Sequence, residues 1–418
     1  MANGSTHDIL IIGAGAAGLM AATFAGRTAE PGHSVAVLDG AKRIGAKILV
    51  SGGGRCNVTH DVVTPADFAG SKRNQIAKVL KTFTADDTVE FFHELGVKLK
   101  REDTGKLFPT TDSAKTVLDA LLSAVDLAGA KVLPEHRVTK ASRTEQGFTV
   151  RTEQGEFHSR NLILATGGKS LPKTGSDGLA YGFAIGLGHT LTQTTPALVP
   201  LVLVDGHWLT RLSGLTTEAE LSVANPNGKI LHRQPGSLLL THFGLSGPAA
   251  MDISRHWIAA HKQGPGTQLL INFLPGRTYD QIEAELVDLT QSHGVNGITS
   301  LLEDYVPRRL AHLLVSEGAG VDPATPMAQL SKPQRRAVVR SLTSLPVPVV
   351  RDRGYLFAEV TAGGIPLSEI NLATMESRKC PGLYLCGEIL DVDGRIGGYN
   401  FQWAWASGRL AGISAAIG

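Results

Sequence analysis

Glycines near the two ends of the chain carry its most specific chemical signal. Gly13, Gly15 and Gly18 follow an apolar run, Ile9 to Ile12, with Ala16 and Ala17 between the last two. At that spacing Gly13 lets the chain turn tightly. Gly15 lets a diphosphate approach bare backbone, and Gly18 lets the next helix pack close to its strand. The free N–H groups and dipole at the start of that helix favour a pyrophosphate. Asp39 lies about 20 residues further on, where a carboxylate can accept from a ribose hydroxyl. Close to the other end come Gly387-Glu388 and then Gly397-Gly398-Tyr399-Asn400. One glycine motif would fit many nucleotide folds. Two at opposite ends predict a single nucleotide domain closed by the returning chain, with FAD as its cofactor.

Between these ends, Lys47 precedes Ser51-Gly52-Gly53-Gly54-Arg55-Cys56-Asn57. Consecutive glycines permit backbone conformations closed to other residues, so Gly53 and Gly54 can line a flat ring or a phosphate with bare N–H groups. Arg55 could neutralise pyrophosphate charge. Cys56 has no second cysteine beside it, which argues against disulfide reductase chemistry and leaves a lone reactive thiol as the alternative. Thr166 and Gly167 end an apolar run, Leu162 to Ala165, at the strand edge where open α/β sheets bind ligands. Val138 stands where doubly wound FAD domains often offer a backbone group to adenine. Gly364, in Val360-Thr-Ala-Gly-Gly364, reads either as a loop over the ring or as a turn. His242 could donate a proton opposite the flavin; the alternative is a turn histidine satisfied by backbone. His242 and Tyr399 are the two candidate acid–base groups, and the sequence names no catalytic residue beyond them.

The elements that must place these residues follow from periodicity. Ile9–Ile12, Val35–Leu38 and Leu162–Ala165 are continuous apolar runs, as expected for parallel strands covered on both faces. A helix is predicted from Leu19 to Gly26. Amphipathic patterns fill 75–100, and another helix starts after Asp112 or Ser113 as N-cap. Alternation from Phe148 to Phe157 predicts a hairpin. Beyond Pro200 come β-like runs at Leu201–Val204, Ser237–Leu240 and Gln268–Leu274, with a helix beginning near Pro248. Residues 279–344 have helical patterning. The fold class is therefore α/β: a Rossmann-like, doubly wound FAD domain of glutathione-reductase type, carrying an inserted β-barrel-like part and a helical part. The expected boundaries are 1–195 and 353–418 for the FAD domain, 196–275 and 340–352 for the β-rich insert, and 276–339 for the helical insert.

A chain of 418 residues with net charge +2 offers no electrostatic argument for nucleic acid or an anionic membrane. No apolar stretch approaches the roughly 18–20 residues needed to span a bilayer. Three cysteines fit a reducing, cytoplasmic setting. No CxxC or histidine cluster offers a metal site. A second strand–glycine–helix unit for NAD(P) is absent, so NAD(P)H, if it donates electrons, docks only transiently. The sequence carries no signal for an oligomeric state.

Taken together, Ile11 to Gly18, Lys47 to Asn57 (KILVSGGGRCN), Ala165 to Gly168, Thr241 to Pro248, Glu359 to Gly364 and Pro381 to Trp405 resemble the BaiN-like flavoproteins, also called the aminoacetone oxidase family. The resemblance covers nearly the whole chain. It implies that Gly13, Gly15 and Gly18 wrap the pyrophosphate, that Asp39 holds the adenosine ribose and that Glu388 lies near the ribityl chain. It also implies that the Gly397–Asn400 turn meets the flavin's pyrimidine edge, where N–H groups and a helix N-terminus can stabilise negative charge. The implied function is an FAD-dependent oxidoreductase moving a hydride between flavin and a small organic substrate. That substrate is an amino-ketone to be oxidised or an unsaturated oxo compound to be reduced with NAD(P)H. The alternatives are a flavin-dependent tRNA-modifying enzyme and a non-catalytic FAD-binding sensor.

Overall fold

A computed structural model describes residues 4–292 and 297–418, with the side chains of 290–292 left aside. Residues 1–3 and 293–296, which belong to the expected FAD domain and helical insert, lie outside the described residues. The chain forms two compact units, Met1–Pro196 with Glu359–Gly418, and Ala197–Ala358.

The first unit is a Rossmann-type α/β fold. Strands β1 (Ser5–Ile12), β2 (Val35–Leu38), β3 (Lys131–Leu133), β4 (Glu156–Leu164) and β5 (Leu383–Leu385) pair in parallel in the order β5-β4-β1-β2-β3. Ile9–Ile12 and all of β2 are buried, because continuous apolar strands need cover on both faces. The predicted hairpin forms from Gly147–Thr152 and β4, antiparallel, with Val138–Thr144 beyond it. The patterned stretch 75–100 breaks into two helices, Arg73–Leu80 and Ala85–Glu94. The break has a local cause: Thr84 accepts from the Asp87 N–H, and Asp87 reaches back to Thr84 in a capping box.

Helices α1 (Ala16–Thr28) and α2 (Tyr399–Ile417) pack along one another. Their backbones nearly touch. A methyl group at Gly408 would collide with the Ala17 carbonyl oxygen, and one at Gly412 with that of Ala21. Two glycines inside a helix cost about 1 kcal/mol each in propensity; here that cost is offset by close approach over an alanine-lined α1. The last helix is thereby fixed against the first.

In the second unit, seven strands follow the path Leu345–Val347, Gln268–Asn272, Thr216–Ala224, Ile230–Thr241, Gly244–Ser246, Leu201–Leu203, Val349–Asp352. No closed barrel is detected among the described residues. The hydrogen-bonded path is open. Its two edges are nonetheless consecutive in sequence, with only Pro348 between them, so the ends meet through the chain and not through a ladder. Proline has no N–H to give to a sheet. The helix predicted near Pro248 runs from Gly247 to Gln263. Its Ile253, Trp257 and Ile258 enter one hydrophobic cluster with Leu221, Leu269 and Val339 from the sheet and the helices beyond.

Candidate functional site

The three N-terminal glycines have different reasons to be glycine. Gly13 has φ +102°, and a Cβ there would lie 2.5 Å from the Ala165 carbonyl oxygen. At Gly18 a Cβ would strike the Gly13 carbonyl oxygen. Both are required by the protein's own packing. Gly15 is not: its φ is −83°, which any residue adopts, and nothing lies within 4 Å of where its Cβ would be. The space above the N-terminus of α1 is open only because Gly15 has no side chain. That space suits a diphosphate.

Asp39 holds this turn in place. One carboxylate oxygen accepts from the Ala14 N–H at 2.7 Å and the other from the Ala41 N–H at 2.8 Å. Each oxygen keeps a second lone pair for a hydroxyl. Asp39 also accepts through its carbonyl from the His136 N–H at 2.8 Å, which leads the chain on to Val138 at the start of its strand.

The C-terminal signature arrives at the same place. A Cβ at Gly387 would lie 2.8 Å from the Ala17 side chain, while its N–H donates to Ser407 Oγ at 3.0 Å. Glu388 follows and is held on three sides. One oxygen accepts from Lys47 Nζ at 2.6 Å; the other accepts from Ser170 Oγ at 2.8 Å and from the Thr361 N–H at 2.9 Å. Lys47 also reaches Ser170 Oγ at 2.8 Å. Gly168 packs directly against this cluster, its Cβ position 2.8 Å from Glu388 Oε1. Ser170 had no sequence signal as a site residue, and Thr361 only as part of the Val360–Gly364 segment. Lys47 and Glu388 stood out singly, but nothing local shows that they pair.

The triple-glycine loop folds as a tight turn in which Gly52, Gly53 and Gly54 all take left-handed backbone, with open space where a Gly53 side chain would be. Arg55 turns away from the pyrophosphate role expected of it. It pairs with Glu102 at 2.6 Å and Asp112 at 3.7 Å and lies 4.0 Å over the Phe108 ring. Glu102 holds its guanidinium above the ordinary arginine range. Among the buried oxygens without a partner in the described part of this unit are Asn57 Oδ1 and Thr166 Oγ1, with Ser159 Oγ on β4 a third. Buried polar atoms are seldom left unmatched. With the opening over Gly15 and the bare loop at Gly53, the first two fit a cofactor carrying both a diphosphate and a ring with polar edges. Gly167 is confined by Ser176 beneath it.

Cys56 is wholly buried, and burial pushes its thiol up to about 12. This removes the reactive-thiol alternative. The sign is that of any buried acid: the neutral form is held until the pH nears the raised value, and alkali above the ordinary thiol range then favours unfolding. Alkylation of native Cys56 at pH 8 is expected to be at least about a hundredfold slower than in denatured protein. All three cysteines, free and buried in the fold, should react once it is unfolded. Equal native and denatured rates by mass spectrometry would contradict this.

At the far signature, Gly398 lies against Thr59, with its Cβ position 2.5 Å from the Thr59 carbonyl carbon. Tyr399 is buried, stacked on His60 (centroids 4.9 Å, 18°) and edge-on to Phe68. Asn400 spends its side chain on the loop before it, accepting from the Gly394 N–H and donating to the Gly394 carbonyl. Only its backbone is left for a ligand. Gly364 resolves toward the turn: its N–H donates to Thr192 Oγ1 at 2.8 Å and its carbonyl accepts from the Thr192 N–H at 3.0 Å. His242 stands apart from these residues in sequence and unit. It is exposed in the second unit between Thr241 and Gly244, with its ring against Phe243 and no hydrogen-bond partner among the described residues.

The profile of the HI0933-like protein Rossmann domain matches residues 7–414. The chain is 34% identical to the 3-dehydro-bile acid delta(4,6)-reductase of Clostridium scindens over 98% of its own length and 99% of the relative's. It is also 34% identical to the ribosomal RNA dihydrouridine synthase of Escherichia coli over 96% of each. Among solved structures it resembles the 3-ketosteroid delta1-dehydrogenase of Sterolibacterium denitrificans (TM-score 0.51, 13% identity, 99% of this chain and 100% of that one), a likeness of fold. No helix among the described residues is long and apolar enough to cross a membrane.

Proposed function

The chain belongs to the HI0933-like Rossmann family, and from that premise we propose that it is an FAD-dependent reductase of a ring carbon–carbon double bond conjugated to a carbonyl. The observation that carries the flavin reading is Gly387 seated on Ala17, the two terminal signatures meeting over the open space at Gly15. The substrate class comes from the relatives. A 3-dehydro-bile acid delta(4,6)-reductase and a dihydrouridine synthase carry out the same bond change in chemical terms, since uridine's ring double bond is also conjugated to a carbonyl. Hydride adds to the carbon remote from the carbonyl and a proton to the carbon beside it.

When bound, FAD supplies the hydride; a nicotinamide reductant, docking transiently, would replenish it. The chain's own residues hold the cofactor. Gly13, Gly15 to Gly18 and the N-terminus of α1 take the diphosphate. Asp39 takes the adenosine ribose, and the backbone at Val138 the adenine. Glu388, fixed by Lys47, Ser170 and Thr361, takes the ribityl hydroxyls. Gly53, Gly54, Asn57, Thr166, Gly167 and the Gly397–Asn400 turn face the ring.

The first reading of the substrate is a free unsaturated oxo compound, in keeping with a net charge of +2. The second is a uridine within RNA, favoured by the relative named for ribosomal RNA where tRNA was expected. One paired experiment separates them. Dihydrouridine in ribosomal RNA is measured by mass spectrometry with and without the gene, and the pure holoprotein is assayed anaerobically with NAD(P)H and 2-cyclohexenone or a 3-oxo-4-ene steroid. Turnover of a free enone with unchanged RNA supports the first reading, and loss of dihydrouridine the second. Yellow protein that does neither rejects the proposed reaction.

A further inference from the structure

The strand Lys106–Pro109 pairs antiparallel with Thr59–His60, placing Lys106 opposite His60. This two-residue ledge supports the Gly397–Gly398 turn. Thr59 abuts Gly398, and a Cβ at Gly397 would lie 3.3 Å from Tyr399 Cε2, 3.6 Å from His60 Cδ2 and 3.6 Å from Lys106 Cε. The Lys106 ammonium is one bond beyond that last atom.

The ion pairs around the ledge leave Lys106 out. Asp61 is taken by Arg101 at 2.5 Å and by His60 at 2.9 Å. Glu102 is taken by Arg55 at 2.6 Å, Asp67 by Arg395 at 3.4 Å, and Asp112 by Lys100 and Arg55. Lys106 is half-buried and has no acidic partner among the described residues. Partly desolvating an ammonium without a counter-charge is unfavourable. The segment leading into the ledge also holds Asn57, only 8% exposed, whose Oδ1 has no partner. An unmatched cation and an unmatched buried acceptor flank one strand beside a turn kept bare by two glycines.

We propose that Lys106 is a charge-setting residue of the cofactor site: its ammonium, acting with the N-terminus of α2, holds positive charge at the Gly397–Gly398 turn against the polar edge of the bound ring. The inference rests on the flavin reading above and assigns a role within it to a residue that no glycine motif contains. A cation there favours the reduced cofactor, because reduction places negative charge on that edge. It is a positioning of charge and not a proton transfer.

The test uses holoprotein and measures the midpoint potential of bound FAD and its affinity for sulfite, in wild type, Lys106→Met and Lys106→Arg. Lys106→Met is expected to weaken sulfite binding about tenfold or more and to lower the two-electron potential by about 30 mV, the equivalent of tenfold. Lys106→Arg keeps the charge and should stay within about threefold of wild type, a contrast that a packing role would not produce. Should the methionine variant not fold, Lys106→Gln replaces it with the same expectation. Fully loaded Met or Gln variants with wild-type potential and sulfite affinity would overturn the role of Lys106 while leaving the flavin reading intact. Wild-type protein that binds no flavin would overturn both.

Discussion

Gly15→Val is expected to give a folded protein that is nearly colourless, with less than about a tenth of wild-type flavin and a melting temperature within about 3 °C of flavin-free wild type. The reason is the contrast among the three glycines. Valine is at home at φ −83°, ψ −168°, and no neighbouring protein atom lies within 4 Å of where its Cβ would be. The fold loses only the N-cap preference of glycine over valine at the start of α1, but the approach to the α1 N-terminus is filled. Gly18→Ala should do the reverse. Its methyl meets the Gly13 carbonyl oxygen, a backbone atom that moves only if β1 or α1 moves, and overpacking of that kind costs about 1–3 kcal/mol or more. The two variants therefore separate binding from stability within one motif. Flavin released on denaturation measures the first, and urea unfolding the second. A Gly15→Val protein that purifies with stoichiometric FAD would remove the diphosphate from this turn.

The contrast also shows what was legible in the sequence. Short-range devices were: the apolar runs of β1, β2 and β4, the glycine turn, the hairpin at 147–164 and the helix at Pro248 all follow from residues close together in the chain. The candidate site was legible as a set of segments, but its bonds were not. Lys47 and Glu388 are separated by 341 positions, and no local pattern shows that one holds the other. Arg55 looked like a phosphate ligand because an arginine after three glycines is a reasonable one, yet Glu102, just after the strand Leu99–Arg101, and Asp112, just before the helix Ala114–Leu127, are brought to it only by tertiary pairing. Nothing local to Gly408 and Gly412 shows that α1 lies against them. Closure of the inserted sheet was illegible for a related reason. Alternation predicts strands, whereas closure depends on whether the last edge finds a partner, and here Pro348 lies between the two edges.

The same logic makes a prediction for Gln402, which stands within the Pro381–Trp405 signature and so invites a functional role. Its surroundings argue for a structural one. Gln402 is 1% exposed, and its Oε1 accepts from Thr59 Oγ1 at 2.7 Å and Thr88 Oγ1 at 2.8 Å, while its Nε2 donates to the Phe83 carbonyl at 2.8 Å. One side chain thereby ties α2 to the Thr59 ledge and to the helix Ala85–Glu94. Gln402→Leu conserves volume, so the loss comes from polar groups left without partners. Thr88 can fall back on the Thr84 carbonyl at 3.0 Å; Thr59 and Phe83 lose this partner outright. At about 1–3 kcal/mol for each buried group left unsatisfied, the variant should lose about 3 kcal/mol of unfolding free energy. Combining it with Thr59→Val and Thr88→Val removes the stranded hydroxyls, and the triple variant should recover at least about 1 kcal/mol relative to Gln402→Leu alone. A simple packing residue would make the three changes additive and the triple variant worst. Recovery in urea unfolding would instead show that the glutamine's role is to satisfy buried hydroxyls, and that the signature's specificity at this position comes from holding α2, and with it the Gly397–Gly398 turn, against Thr59.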